Sequence, residues 1–137
     1  MTIWLISILI SGPQFEGEWI LVTSNQTTLT KLSHYQIKQI YLGKLDRIDG
    51  IPVRPVQLRK KDPVRQAFEA WLFPNGFDLD NYWLTQGIDS GAPHPINAGS
   101  WALAVVMVER NPGFIAYIPQ VSEEELERNH LHILIIE

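Results

Sequence analysis

Short polar side chains and a few cations gather at three points of the chain where a small anion could be held. Ser24, Asn25, Thr27 and Thr28 follow residues 18–24 (EWILVTS), an apolar run ending in turn formers that reads as a buried strand. In open α/β sheets ligands sit beyond the carboxyl ends of strands, so this group of donors could grip an oxyanion. The plainer alternative is a solvated loop, because Ser, Thr and Asn are common turn residues. Arg59, Lys60 and Lys61 form the dense basic cluster of the sequence, at a strand-to-helix junction where cations could meet an anion or an acidic partner. Asp62 beside them can also neutralise the cluster and leave it a solvated face. Ser90 and Gly91, with residues 97–100 beyond them, flank a proline-containing loop that leads into a helix whose free amides could hold an anion. Capping and loop rigidity are the competing explanation.

Other combinations point away from catalysis and metals. His130 and His132 would share one face of a strand, a spacing that chelates a metal only if a third ligand converges. Asp78, Asp80 and Asp89 resemble paired carboxylates for acid/base work, yet they fall at helix ends, where carboxylates cap and favour the dipole. No catalytic residue, metal ligand or cofactor is assigned on this basis. Trp71, Tyr82, Trp83 and Trp101 stand beside aliphatic residues at helical spacing, which suits a core better than an aromatic ligand cage.

The elements that must position these residues follow from periodicity and capping. Ser33 and Gln36 make a reciprocal helix start, Ile37, Ile40 and Tyr41 fall on one stripe, and Gly43 sits where a left-handed residue would end the helix. Asp49-Gly50 predicts a tight turn, and residues 53–58 a strand whose Pro55 places it at an edge or a strand start. Asp62-Pro63 opens a helix with Val64, Ala67, Phe68, Trp71 and Leu72 on one face, because aspartate accepts amide hydrogen bonds and proline loses nothing at the first helical position. A second helix is expected over 78–88 and a third from Ser100 to about Arg110, whose ALAVVMV centre is apolar on nearly all sides and should be buried. Residues 114–118 and 131–136 read as strands, with a Ser122/Glu125 helix start between them. This alternation predicts a layered α/β domain with a mainly parallel sheet flanked by helices.

Bulk properties set the outer bounds. The 137 residues and 45% hydrophobic content suit one folded domain, and the net charge of −4 lacks the basic balance of a nucleic-acid binder. Cysteine is absent, so disulfides and thiolate chemistry are excluded. Residues 3–10 (IWLISILI) are too few to span a bilayer, which takes about 20, but long enough for the core of a signal peptide. The expected organisation is therefore a signal-like or apolar segment over 1–17 and a domain over 18–137.

Several segments, taken in order, resemble the phosphate ABC transporter substrate-binding proteins, in particular short single-lobe members of the periplasmic-binding-protein-like superfamily. These are Leu32-Ser33 through Ile40-Tyr41-Leu42-Gly43-Lys44, Asp49-Gly50, residues 52–58 (PVRPVQL), residues 63–68 (PVRQAF), Tyr82-Trp83, Ser90-Gly91 with Pro93 and Pro95, and residues 111–117 (NPGFIAY). The resemblance covers about residues 18–136 and implies a type 2 periplasmic-binding-protein lobe. It also implies a non-catalytic, extracytoplasmic role: binding phosphate or a related oxyanion for an ABC transport or sensing system, with a membrane transporter or envelope protein as partner. At one helix start the family carries an arginine followed by a Ser-Gly-Thr turn. This chain reads Arg59-Lys60-Lys61-Asp62-Pro63 there, which puts a carboxylate where the anion would sit. The alternative function is an envelope accessory module that has lost its ligand.

Overall fold

The computed structural model describes residues 18–86 and 91–137. The apolar segment 3–10, the expected last turn of the 78–88 helix, and Asp89 and Ser90 lie outside the described residues. β1 (Trp19–Ser24), β5 (Arg54–Gln57), β6 (Ile96–Asn97), β7 (Phe114–Pro119) and β8 (Leu131–Ile133) form one five-stranded sheet in the order β6-β5-β7-β1-β8. β5 pairs in parallel with both β6 and β7, whereas β1 is antiparallel to both of its neighbours, β7 and β8. Four strands therefore share one direction and β1 alone opposes them, so the sheet is mainly parallel as the sequence suggested. Two small pairs complete the strands: β2 (Lys31–Leu32) beside β9 (Ile135–Ile136), and the hairpin of β3 (Arg47–Ile48) with β4 (Ile51–Pro52). Both turn residues of that hairpin, Asp49 and Gly50, have positive φ, as a tight two-residue turn needs.

The helices are α1 (His34–Tyr41), α2 (Pro63–Leu72), α3 (Leu79–Gln86), α4 (Trp101–Arg110) and α5 (Glu123–Arg128). The crossover from β5 to β6 and the one from β6 to β7 run in opposite directions along the sheet. Right-handed connections then place α2 and α4 on opposite faces. The α2 face is aromatic: Phe68 stacks on Tyr117 with ring centroids 4.1 Å apart, and Trp19 and Tyr41 pack on Phe68 at 5.0 and 5.2 Å. Both phenols are tied to backbone, Tyr41 donating to Val56 O at 2.9 Å and Tyr117 Oη accepting from Leu58 N at 3.0 Å. Burial accordingly holds both hydroxyls well above the ordinary phenol range.

Local signals explain how the elements stop. The Ser33 hydroxyl accepts from Gln36 N while Gln36 Oε1 accepts from Ser33 N, which closes the start of α1 reciprocally. At its end, Gly43 N donates to Ile40 O and Lys44 N to Gln39 O, with Gly43 at φ +73°. That is a Schellman turn, and only glycine fits because a Cβ there would run into the Trp83 ring. The same Trp83 donates to Tyr41 O and Tyr82 to Leu42 O, so α3 satisfies the last carbonyls of α1.

Two expectations are corrected. α4 is not buried all round: Ala104, Val105 and Val108 pack inward, but Leu103 is 49% and Val106 38% exposed. Only the face toward β1 and β7 is covered, and nothing among the described residues covers the other. Residues 131–136 are not one strand either. Leu134 N turns to Leu21 O and ends β8, and Ile135 then pairs beside Lys31 in β9.

Candidate functional site

The carboxyl ends of the parallel strands β5 and β6 carry a constellation that combines a cavity with a buried unpaired polar group and an unpaired cation. In this pair Gln57 stands opposite Asn97, and Gln57 Nε2 donates to Asn97 Oδ1 at 2.7 Å. Gln57 is 8% exposed and its Oε1 has no partner among the described residues. Past these residues the chain turns into α2 on one side, through Arg59 and Lys60, and into α4 on the other, through Ala98, Gly99 and Ser100. A cavity of about 350 Å³ opens between the two turns, lined by Gln57, Arg59, Lys60, Arg65, Asp80, Asn97, Ala98 and Gly99.

The cations that line it are not equivalent. Arg65, 4% exposed, donates to Glu69 Oε2 and Asp80 Oδ1, both at 2.7 Å, and to Leu58 O at 3.0 Å. Burial disfavours its charge, but the Asp80 hydrogen bond and the Glu69 carboxylate outweigh this and hold it above its ordinary value. Glu69 is itself pushed up, by burial first, against the pull of Arg65. This buried cluster is committed internally and braces the wall of the cavity. Lys60 Nζ lies 3.9 Å from Asp80 Oδ2, a loose exposed pair of little energetic weight. The Arg59 guanidinium makes neither ion pair nor hydrogen bond among the described residues, and it lies beside Gly99 at the mouth.

The first turn of α2 does not present free amides to this cavity. Asp62 Oδ1 accepts from Val64 N at 2.9 Å, and Pro63 has no N–H to offer. The carboxylate foreseen at this helix start thus occupies the position an anion would take. At α2 an anion must be met by side chains.

The residues marked in the sequence divide between two ends of the sheet. Ser24, Asn25, Thr27 and Thr28 do follow β1, but β1 is the opposing strand, so its carboxyl end lies at the amino ends of β5 and β7. The premise that they stand at the carboxyl edge of the parallel strands is therefore corrected. Ser24 is fully buried with its hydroxyl accepting from Gln26 N, and Thr27 Oγ1 accepts from Leu29 N, so both cap their own loop. Asn25 and Thr28 are exposed. Gly91, at φ +72°, does not line the cavity. Arg59 and Lys60 meet Asn97 and Gly99 there. His130 is not in a strand: it has φ +56° in the turn before β8 and pairs with Glu109 at 2.9 Å, while His132 faces Leu29 O at 2.8 Å. No group of three or more His, Asp or Glu among the described residues could hold a metal ion.

Sequence reasoning missed Gln57 and Arg65. A polar residue ending the apolar run Val53 to Leu58 was the available signal for the first. The second was an arginine spaced i, i+3, i+7 with Phe68 and Leu72, on the inward stripe of α2 and four residues before a glutamate.

No protein-family model matches the chain, and no curated protein does. Solved structures do match. An ABC-type phosphate transport receptor from Vibrio cholerae superposes with a TM-score of 0.64 at 14% identity, over 86% of this chain and 45% of that one. PstS from Borrelia burgdorferi gives a TM-score of 0.67 at 14% identity, over 87% and 47%. The chain thus spans less than half the length of these structures, and at such identity the likeness concerns the fold. That fold is an α/β lobe with a mainly parallel sheet, like the part of these structures that it superposes on.

Proposed function

We propose that the chain is a non-catalytic solute-binding lobe that holds a small oxyanion, phosphate or a related one, at the carboxyl edge of β5 and β6 for an ABC transport or sensing system. One observation carries this reading: Arg59 is a cavity-lining cation with no acidic partner among the described residues, whereas Arg65 and Lys60 face carboxylates. The names of the structural neighbours, a phosphate transport receptor and PstS, point to the same class of role. Lys60 and Arg59 are the proposed ligand contacts. Ser24, Asn25, Thr27 and Thr28 stand at the other end of the sheet and form no common site with them. Isothermal calorimetry with phosphate, sulfate and small carboxylates tests the reading. Saturable binding at about millimolar Kd or tighter, weakened about tenfold in Arg59→Ala, is the expected result. Heat that never saturates for any of these anions contradicts it.

The role places the chain outside the cytoplasm, which fractionation of cells producing it would check; a cytoplasmic product contradicts the placement. No helix among the described residues is long and apolar enough to cross a membrane. A second reading, an envelope accessory module without a ligand, draws on the Asp62 carboxylate seated on the start of α2. A chain that binds no anion and instead retains a defined envelope partner would favour it.

A further inference from the structure

Resting on the solute-binding reading, we infer that the site prefers, among related oxyanions, a small organic carboxylate with an aliphatic body and a hydrogen-bond donor over a bare inorganic one. The first ground is what the edge lacks. A compact tetrahedral anion is best held by several converging backbone amides, and at α2 these are taken by Asp62 Oδ1 and removed by Pro63. What α2 leaves is the planar fork of Arg59, which matches a carboxylate with two parallel hydrogen bonds, beside the first turn of α4, where Ser100 caps Leu103 N.

The second ground is what lies next to that fork. Gly99 has no side chain, and the space over it is bordered by Leu103 Cδ1 and by the Arg59 guanidinium, 3.9 and 4.0 Å from where a Cβ would stand. A cation and an exposed aliphatic group thus flank one spot. Inorganic anions make no use of Leu103, whereas the carbon chain of an organic acid loses apolar surface against it. A side chain at Gly99 would fill this spot.

The third ground is depth. A cavity of about 350 Å³ is within the range of small-molecule sites. Gln57 lines it from the sheet, with its Nε2 spent on Asn97 and its Oε1 buried and unpaired. A buried acceptor without a donor is unfavourable, so a solute hydroxyl or ammonium group supplies the missing partner once the Gln57 amide turns toward the cavity. Carboxylate on Arg59, carbon body along Leu103 and donor toward Gln57 describe a short 2-hydroxy or 2-amino acid.

Calorimetry on the full chain with 2-hydroxyisocaproate, isocaproate, acetate, phosphate and sulfate separates the possibilities. The hydroxy acid should bind about tenfold more tightly than phosphate or sulfate, with isocaproate between them. Leu103→Ala, at a half-exposed position that leaves the core intact, should erase the advantage of isocaproate over acetate while acetate itself is unchanged. Gln57→Met should remove the preference for the hydroxy acid over isocaproate. Phosphate or sulfate binding as tightly as the best carboxylate overturns the inference and leaves the oxyanion reading standing. Unchanged discrimination in Leu103→Ala also overturns it. If no probe binds, both fall together.

Discussion

α2 and α4 both leave the carboxyl edge of the same sheet, but their first turns have opposite character. α2 begins with a charged cap, Asp62, and sends Arg65 and Phe68 inward, where Arg65 is held by two carboxylates and Phe68 lies among aromatic rings. α4 begins with a neutral cap, the Ser100 hydroxyl accepting from Leu103 N, and leaves Leu103 and Val106 exposed. One helix spends its polar and apolar groups inside the fold. The other keeps a neutral start and an apolar flank available beside Arg59. The difference teaches that the cavity has a braced wall and an open wall, and the proposed recognition draws on the open one.

The largest expected effect tests the brace. Phe68→Ala should destabilise the chain by about 3–5 kcal/mol in denaturant unfolding, because a fully buried ring leaves a cavity, whereas Val106→Ala on α4 should stay within about 0.5 kcal/mol. Similar losses at both sites would remove the contrast. A smaller effect concerns the two buried phenols. Their folded pKa values lie above the unfolded value, so the native state keeps protons that the unfolded chain releases, and stability falls as pH rises beyond about 10. Absorbance titration should show Tyr41 and Tyr117 ionising only as the chain unfolds; ionisation of these two phenols before unfolding would contradict the packing.

The smallest effect on stability sharpens the comparison of caps. Asp62→Ser keeps a capping oxygen and removes the charge, so stability should change by less than about 0.5 kcal/mol while affinity for phosphate rises. Ser100→Asp is its mirror image and should lower anion affinity with equally little effect on folding. Calorimetry with phosphate reads both. A phosphate affinity indifferent to both charges would show that neither helix start faces the anion.

Where the sequence was informative, the cause was local. The caps at Ser33, Asp62, Ser100 and Ser122 are set by residues within three positions of one another, and each side chain accepts the amide expected of it. The direction of β1 was not legible, because pairing with residues some 90 positions away decides it. That is why Ser24 to Thr28 read as standing beyond the carboxyl ends of the parallel strands, whereas they stand at the amino ends of β5 and β7. α4 was misjudged for a related reason: composition records how apolar a helix is, but not whether a second wall covers it. Gln57 and Asn97 are 40 positions apart and gain meaning only through the register that sets them opposite each other. Arg65 looked like a charged helix position until Glu69 and Asp80 closed on it.

The central claim is that solute is held at the Arg59 edge and not at the Ser24 edge. An ¹⁵N-labelled chain titrated with phosphate and with 2-hydroxyisocaproate reports this directly through its amide shifts. The account predicts saturating shifts centred on Arg59, Asn97, Gly99 and Ser100, with Asn25, Thr27 and Thr28 unmoved. Shifts centred on residues 24–28 would contradict it.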